Sequence, residues 1–195
     1  MNLQSAITTA EPTAPAAKPI KLLGDPALRI VSAPVTDFSS REFIENARSL
    51  HATLADFRRR HGFGRAVSAP QIGIHQRFIA LNLGDAAPHL LVNPEIARAS
   101  EEKFTMWDDC MSFPGLLVRL KRHRSISVRF QNENGDRCEW NDLDIAAAEL
   151  VQHEMDHLDG VLAIDRAIDR DSVILREVYE ANRETFTAQA DYVIY

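Results

Sequence analysis

The strongest constraint on this chain is the run His153-Glu154-Met155-Asp156-His157, an H-E-x-x-H sequence inside a segment predicted to be helical. Side chains four positions apart on a helix project from the same face about one turn apart, so His153 and His157 can bind one divalent cation. Glu154 lies beside them and can take a proton from water as a general base. The run therefore predicts a metal-dependent hydrolase; the alternative is a solvated helix face.

Composition limits the classes of protein to consider. The chain has 195 residues, of which 45% are hydrophobic and 26% charged, which suits one globular domain with a sizeable core. A net charge of −6 argues against direct nucleic-acid binding, because phosphate contacts need clustered Lys and Arg. The basic residues within 119–124 are predicted to lie on an exposed strand edge or in local salt bridges. No apolar run approaches the roughly 18 residues of a membrane span.

Cysteine usage and the first residues indicate the compartment and the domain limits. Cys110 and Cys138 are the two cysteines of the chain, too few for the disulfide framework of a secreted protein, so a reducing, cytoplasmic setting is expected. Residues 1–17 are rich in Ala, Thr and Pro, with no basic start and no apolar stretch typical of a signal peptide. They are predicted to be a disordered tail. Residues 18–195 are predicted to form a single domain.

Hydrophobic periodicity predicts an α+β fold, because strands occur as a block before helices rather than in alternation with them. Ser39 or Ser40 is expected to cap the first helix, Asp144 to cap the helix with the histidines, and Gly160 to end it. The predicted elements are a helix to about residue 60, strands at 78–83, 89–92, 125–130 and 137–143 with a hairpin turn at 134–135, a helix at 144–158 and a last amphipathic helix at 171–187. The segment 191–195 is left open between a strand and an interface element.

A third metal ligand must come from outside the helix. A catalytic site commonly has three protein ligands and keeps a fourth position open for water. Cys110 is the strongest candidate because it lies in a loop, ended by Pro114 and Gly115, between two predicted strands. On the residues alone, a buried structural thiol is an equally good interpretation. Asp156 is predicted either to accept a hydrogen bond from a ligating histidine or to be a plain surface carboxylate.

Four motifs, in the same order and at plausible spacing, resemble those of the peptide deformylases. Residues 64–73 (GRAVSAPQIG) resemble the family's G-x-G-x-A-A-P-Q-x-G, and residues 108–114 (DDCMSFP) resemble its E-G-C-L-S-x-P. Residues 152–160 (QHEMDHLDG) are similar to its Q-H-E-x-D-H-L-x-G, and residues 24–29 (GDPALR) to its G-D-P-x-L-R. The resemblance extends from about residue 18 to the last predicted helix.

The resemblance implies an α+β fold in which antiparallel or mixed sheets surround a central helix carrying H-E-x-x-H, with a further helix near the C-terminus. It implies removal of the N-formyl group from N-formylmethionyl peptides, with release of formate, during protein maturation. It also implies one divalent metal ion per chain, Fe(II) first, with Zn(II), Ni(II) or Co(II) able to occupy the site. The expected partners are an N-formylated peptide and, transiently, the ribosome.

Residue roles follow from the same resemblance. The metal ligands would be Cys110, His153 and His157. Glu154 would move the proton, and the Gln71 side-chain amide and the Met111 backbone N–H would bind the developing oxyanion. The residues expected to bind substrate are Gly64, Arg65, Val67, Glu149 and Leu150.

Several residues depart from the family's motifs. Asp108 stands in place of Glu, with Arg122 as its expected partner, so a shifted backbone or a bridging water is expected to meet the shorter acid. Asp109 replaces Gly and is expected to point outward, and Ala66 replaces the second glycine of the first motif. Arg65 and Glu149 align with positions where apolar residues line the family's methionine pocket. We hypothesise that these two side chains approach each other and make the pocket more polar or narrower; otherwise both face solvent.

Other interpretations compete with a deformylase of formylmethionyl peptides. The departures favour a deformylase-fold amidohydrolase with a different formylated or acylated small substrate. A non-catalytic peptide-binding relative is disfavoured because Glu154 and all three candidate ligands are present. A generic zinc peptidase that uses H-E-x-x-H with a distant carboxylate is disfavoured by the cysteine motif.

Overall fold

The computed structural model describes residues 15–84 and 89–194, and it confirms an α+β fold. Two antiparallel sheets hold the strands, and every pair of neighbouring strands is antiparallel. The elements are α1 (Arg41–His61), β1 (Ala66–Ser68), β2 (Phe78–Leu81), β3 (His89–Ala99), β4 (Lys103–Asp108), β5 (Leu116–His123), β6 (Ile126–Gln131), β7 (Arg137–Trp140), α2 (Ile145–Leu158), β8 (Val173–Leu175), α3 (Arg176–Ala181) and α4 (Arg183–Thr187), with short 3-10 helices at Pro26–Arg29, Ala69–Ile72 and Ala163–Arg166.

Helix α2 lies between the two sheets. The five-stranded sheet has the order β1-β2-β3-β6-β7 and the three-stranded sheet the order β4-β5-β8; α2 contacts β1 and β2 of the first and β5 of the second. The predicted central helix is therefore confirmed. Asp144 caps it by accepting a hydrogen bond from the Ala147 N–H at 2.9 Å. Because sheets cover opposite sides of α2, every residue from Ala148 to Leu158 is buried, including the polar ones.

Glycine is required where α2 ends. Gly160 has φ +71°, and a Cβ there would lie 2.6 Å from the Arg29 carbonyl oxygen. The left-handed conformation ends the helix as predicted, and the missing side chain allows the first 3-10 helix to pack against that end.

Helix α1 also follows the prediction. Ser40 accepts a hydrogen bond from the Phe43 N–H at 3.2 Å, and Gly62 ends the helix in the left-handed conformation. Its apolar residues Phe43, Ala47, Leu50 and Leu54 are buried against the β1–β2–β3 part of the first sheet, where they form one core with residues of those strands.

Strand β6 is shifted by one residue from its predicted range, and three other strands end further from their predicted ends. The hairpin β6–β7 turns at the predicted Asn134-Gly135, but β7 ends at Trp140 rather than at 143. Strand β2 ends at Leu81 rather than at 83. Strand β3 continues to Ala99 rather than ending at 92, because its polar second half pairs with β6 past two register shifts. Pairing with a neighbouring strand, which local hydrophobicity does not encode, sets these ends.

The predicted helix at 171–187 is wrong in its first part. Residues Val173–Leu175 form β8, which pairs with Leu116–Val118 of β5. The helical remainder is split into α3 and α4 at Asn182, whose φ of −131° interrupts the helical backbone. β-branched Val173 and Ile174 favour an extended edge strand where β5 offers unpaired backbone groups.

The predicted tail falls mostly outside the described residues. Residues 1–14 of the tail predicted at 1–17 lie outside the described ranges, and residues 15–17 have no helix or strand. From Lys18 onward the chain is anchored, since its N–H donates to the Thr53 hydroxyl at 2.9 Å. Within the described part of the chain, no helix is both long enough and apolar enough to cross a membrane.

Candidate active site

Three predicted ligands converge beside α2. One ligand atom each from Cys110, His153 and His157 lies within 4.8 Å of the others, and all three residues are buried. The Cys110 Sγ is 3.2 Å from the His157 Nε2. A soft thiol with two imidazoles is the donor chemistry of zinc and iron sites, so this set fits a single transition-metal ion.

Local structure explains the convergence. The two histidines lie one turn apart on α2, and helix periodicity turns both toward the second sheet. Cys110 lies in the loop that joins β4 to β5 in that sheet. The loop is tight, with the Phe113 N–H donating to the Cys110 carbonyl at 3.1 Å and the Ser112 N–H to its Sγ at 3.4 Å.

Asp108 orients His153. The His153 Nδ1 is 2.9 Å from the Asp108 Oδ2, and Arg122 Nη2 donates to the same oxygen at 2.9 Å. An ionised carboxylate only accepts hydrogen bonds, so the Nδ1 carries the proton and the Nε2 is free to ligate. The expected Asp108–Arg122 partnership is thus a direct bond, and no bridging water is needed.

Both expectations for Asp156 are wrong, whereas the local salt bridges expected for the basic run are present. Asp156 is buried and is held by two guanidinium groups, Arg122 and Arg166, rather than by a histidine. Arg122 is 3% exposed, so it bridges two buried carboxylates instead of lying on a strand edge. The Nδ1 of His157 has no partner among the described residues. Sequence spacing could not decide between Asp108 and Asp156, because the choice depends on how β4 lies against α2.

Charge at the cluster favours a cation. Burial alone raises the pKa of Asp108, but His153 and Arg122 outweigh it and lower this pKa to about 2. Burial alone lowers the pKa of His153, but the Asp108 carboxylate and the Cys110 sulfur raise it well above its usual value. Negative groups therefore stabilise positive charge at His153, and a metal ion would take the place of the proton on its Nε2. Burial and the neighbouring His153 keep the pKa of His157 well below its usual value, so this imidazole is neutral, as a ligand must be.

Glu154 lies beside the cluster with unused hydrogen-bonding capacity. It is 3% exposed, and its Oε2 has no partner within the described residues. Burial raises the pKa of its carboxyl to about 7, although His153 and the Ser68 hydrogen bond act in the opposite direction. A buried carboxyl with a pKa near neutrality can both accept and return a proton.

The Gln71 side chain points its donors at the cysteine. Its Oε1 accepts hydrogen bonds from the Ser68 N–H at 2.9 Å and from the Ser68 hydroxyl at 3.0 Å. The amide nitrogen is thereby turned toward Cys110 Sγ, 3.6 Å away, and Ser112 Oγ, 3.3 Å away. Ser68 and Ser112, which the sequence analysis did not single out, fix this orientation; their places inside the two motifs were the available signal.

Met111 and Gly64 form adjoining parts of one wall. The Met111 N–H donates to no other residue in the described ranges, so it is available to a ligand. Gly64 has φ +115°, and a Cβ there would lie 2.7 Å from the Met111 Cε. The positive φ of Gly64 favours glycine, and a Cβ there would also displace the flexible end of the Met111 side chain.

A cavity of about 430 Å³ opens beside the cluster. Four of the five predicted substrate residues line it, namely Gly64, Arg65, Glu149 and Leu150, and the catalytic candidates Glu154, Gln71 and Met111 line it as well. Val67 is the exception. Its side chain is fully buried in the core packed on α1, because it points to the opposite face of the short strand β1.

Arg65 and Glu149 form an ion pair in the cavity wall. An Arg65 Nη2–Glu149 Oε1 hydrogen bond joins them, and Arg65 Nη1 donates to the Ala146 carbonyl at 3.2 Å. The predicted approach of the two side chains is therefore observed. Burial raises the pKa of Glu149 to about 7, and the positive charge of Arg65 acts against that rise.

The Asp109 carboxylate, which is expected to point outward, pairs with an arginine on another element. Asp109 contributes to the cavity wall, and Arg176 Nη2 donates to its Oδ2 at 2.8 Å. Arg176, at the start of α3, also donates to the Pro114 carbonyl at 2.8 Å. No local sequence pattern indicates this link, because it depends on β8 bringing residue 176 back to the cysteine loop.

The fold and the site together are typical of a hydrolase, with a Cys-His-His cluster that could hold one metal ion. A model of the polypeptide deformylase family matches residues 17–173. The peptide deformylase of Thermotoga maritima is 37% identical over 158 residues, which are 81% of this chain and 92% of that protein. The peptide deformylase of Treponema pallidum is 36% identical over 170 residues, or 85% and 98% of the two chains.

Solved structures agree with these sequence comparisons. The crystal structure of the Thermotoga maritima enzyme has a TM-score of 0.70 at 36% identity and covers 78% of this chain and 99% of its own. A peptide deformylase from Synechococcus elongatus in complex with actinonin has a TM-score of 0.71 at 28% identity, covering 92% and 93%. This chain belongs to the polypeptide deformylase family.

Proposed function

We propose that this protein hydrolyses the N-formyl group of N-formylmethionyl peptides and releases formate, with residues 18–195 as its single catalytic domain. One observation carries the proposal. The Cys110, His153 and His157 ligand atoms lie within 4.8 Å of one another beside a cavity that also exposes Glu154 and Gln71. That arrangement provides, in one place, what hydrolysis of an unreactive amide requires: an activated water, a proton carrier and donors for the oxyanion.

Cys110, His153 and His157 would hold one divalent ion. We favour Fe(II), with Zn(II), Ni(II) or Co(II) able to occupy the same donors, because one thiolate with two imidazoles suits these metals. When bound, such an ion polarises the formyl carbonyl and makes water more acidic. Asp108 keeps His153 in the tautomer that can ligate, and Arg122 holds Asp108 in place at 2.9 Å.

Glu154 is the proposed proton carrier. Its carboxylate takes a proton from the attacking water and then delivers it to the departing amine nitrogen. The buried position and the unpaired Oε2 support this role, since no described residue competes for that oxygen. The pKa of about 7 suits both halves of the transfer.

Gln71 and Met111 are the proposed oxyanion donors. Ser68 holds the Gln71 amide with its N–H₂ directed toward Cys110, and the Met111 N–H is available beside it. Donors fixed before the reaction do not need to reorient as charge develops, and each such donor contributes about 3 to 4 kcal/mol in comparable sites.

Arg65, Glu149, Gly64 and Leu150 are the proposed substrate-binding residues. The Arg65–Glu149 ion pair supports a second candidate function, hydrolysis of a formylated or acylated substrate whose first side chain is polar. Comparing formyl-Met-Ala-Ser with formyl-Gln-Ala-Ser distinguishes the two candidates. Strong preference for formyl-Met would exclude the second, whereas a preference for formyl-Gln would exclude the first.

The proposed setting is the cytoplasm, with transient ribosome association and no direct binding of nucleic acid. A reducing compartment suits the site, because Cys110 can become a metal ligand as a free thiol but not as part of a disulfide.

Formate release tests the proposal. Protein loaded with Fe(II) under anaerobic conditions should release formate from formyl-Met-Ala-Ser, and a Cys110→Ala variant should lose both bound metal and activity. Fully metal-bound protein that releases no formate would overturn the proposed reaction. Equal metal binding by Cys110→Ala would overturn the ligand set.

A further inference from the structure

The segment 191–194 docks on the outer edge of strand β4. Its backbone runs parallel to that strand with a bridge between Tyr192 and Met106, and the N–H groups of Asp191 and Tyr192 donate to the Thr105 carbonyl at 3.0 and 3.2 Å. The other edge of β4 is paired with β5. Strand β4 leads directly into Asp108 and the cysteine loop, so the segment is attached to the strand that carries the site.

Asp191 provides a specific anchor for this docking. Its Oδ2 accepts hydrogen bonds from both the N–H and the hydroxyl of Thr105, each at 2.8 Å. These hydrogen bonds to Thr105 lower the pKa of Asp191, so its carboxylate stays ionised and acts only as an acceptor. The tyrosine that follows also packs its ring edge against Phe104, with ring centroids 5.7 Å apart.

Alternate side chains of the segment reach the active-site cavity. Tyr192 and Ile194 line the same 430 Å³ space as Cys110 and Glu154, whereas Val193 between them does not. In an extended chain, neighbouring side chains point to opposite sides, which explains this alternation. All three side chains border a second groove that includes Trp107, so Tyr192 and Ile194 lie between this groove and the cavity.

Tyr192 faces the charged part of that cavity. After burial, the Glu149 carboxylate is the next contribution that raises the pKa of Tyr192, and Arg65 lowers it, so the phenol lies within electrostatic reach of this ion pair. Arg65 and Glu149 are the residues proposed above to meet the first side chain of the substrate. The phenol and the ion pair therefore border one region of the cavity.

We propose that Tyr192 and Ile194 form a wall of the subsite for the side chain of the formylated residue, with Tyr192 as a specificity-determining residue. The inference rests on the proposed function. The family match ends at residue 173 and so does not include this segment. The contacts with Thr105 hold the segment in position beside the cavity. Tyr192 and Ile194 then favour a substrate with a large first side chain, because such a side chain packs against them.

Two substrates that differ only in the first side chain test the inference. In metal-loaded protein, Tyr192→Ala should lower kcat/KM for formyl-Met-Ala-Ser about tenfold, chiefly through KM, because a large side chain loses its packing partner. The same variant should change kcat/KM for formyl-Ala-Ala-Ser less than about twofold, since a methyl group does not reach the wall. Ile194→Ala should act in the same direction, and Thr105→Val, which removes one anchor, more weakly.

Val193→Ala is the matched control, because it shortens the same segment's side chain outside the cavity and should leave both substrates unchanged. An equal change for both substrates in Tyr192→Ala, or no change for either, would overturn the inference. Should Tyr192→Ala fail to fold, Ile194→Ala decides by the same criterion. Dissociation constants of the peptides Met-Ala-Ser and Ala-Ala-Ser separate the two proposals. If the wild type released no formate but bound Met-Ala-Ser more tightly than Ala-Ala-Ser, and Tyr192→Ala lost this preference, the proposed reaction would be refuted and the subsite retained.

Discussion

His153 donates its Nδ1 hydrogen to the carboxylate of Asp108 at 2.9 Å, and this bond decides which imidazole nitrogen faces the other two candidate ligands. Arg122 donates to the same carboxylate oxygen. The acid is one methylene shorter than the glutamate of the family's motif, yet it reaches both partners directly. His153, one of the three candidate ligands, is therefore held by a buried series of charged groups that joins the second sheet to α2.

Asp108→Asn should weaken metal binding about 10- to 100-fold, because the amide cannot accept from both His153 and Arg122 as the carboxylate does. Competition with a chromogenic chelator measures the affinity. Asp142→Asn, which alters an exposed carboxylate paired with Arg98, is the control and should leave the affinity unchanged. Wild-type affinity in Asp108→Asn would show that the bond does not support the ligand.

Arg122→Met should destabilise the fold by about 3 to 5 kcal/mol, because it leaves two buried carboxylates without a shared counter-charge. The neighbouring Arg124 offers a matched control, since it is half exposed and lies 3.7 Å from Glu102. Arg124→Met should cost less than about 1 kcal/mol. Urea unfolding of the metal-loaded proteins gives both free energies, and similar losses in the two variants would refute the bridging role of Arg122.

Gly64→Ala should be more harmful than Gly62→Ala. Both glycines have positive φ, so both substitutions strain the backbone by about 1 to 3 kcal/mol. Only at Gly64 does the added Cβ meet side chains, at 2.7 Å from Met111 and 3.0 Å from Phe57. We expect an additional loss of kcat/KM for formyl peptides in Gly64→Ala, as Met111 is displaced. Equal activity of the two variants would show that the contact with Met111 is unimportant.

The buried Glu149 should make stability depend on pH. Its pKa is raised from 4.5 to about 7, so the neutral carboxyl favours the folded state, and this stabilisation is lost as the pH rises through about 7. The free energy of unfolding of the wild type minus that of Glu149→Gln should therefore fall between about pH 5 and 8. Taking the difference cancels the titration of the metal ligands. A difference that stays constant with pH would contradict the raised pKa.

Local patterns predicted the parts of the fold and site that depend on short stretches of sequence. The α2 histidines, the caps Ser40 and Asp144 and the turn at Asn134 follow from periodicity and from side-chain preferences, and the structure places them as expected. A lone cysteine in a loop can be a metal ligand or a buried structural thiol. Only the family's motifs favoured the metal ligand for Cys110.

Contacts between distant segments were beyond sequence reasoning. Three features depend on how separate elements pack. They are the pairing of His153 with Asp108 rather than Asp156, the Asp109–Arg176 pair and the position of Tyr192 at the cavity. The change from predicted helix to strand at Val173–Leu175 has the same origin, because β5 supplies the hydrogen-bonding partner. Pairing across the sheet outweighed local helix propensity there.

Metal content and formate release measured together on Glu154→Gln test the central claim most directly. Glutamine keeps the size of the side chain but cannot carry a proton, so the variant should retain one metal ion per chain while formate release from formyl-Met-Ala-Ser falls at least about 100-fold. Formate release near the wild-type rate, with metal bound, would contradict the role of Glu154. Loss of the metal from this variant would contradict a ligand set made of Cys110, His153 and His157 alone.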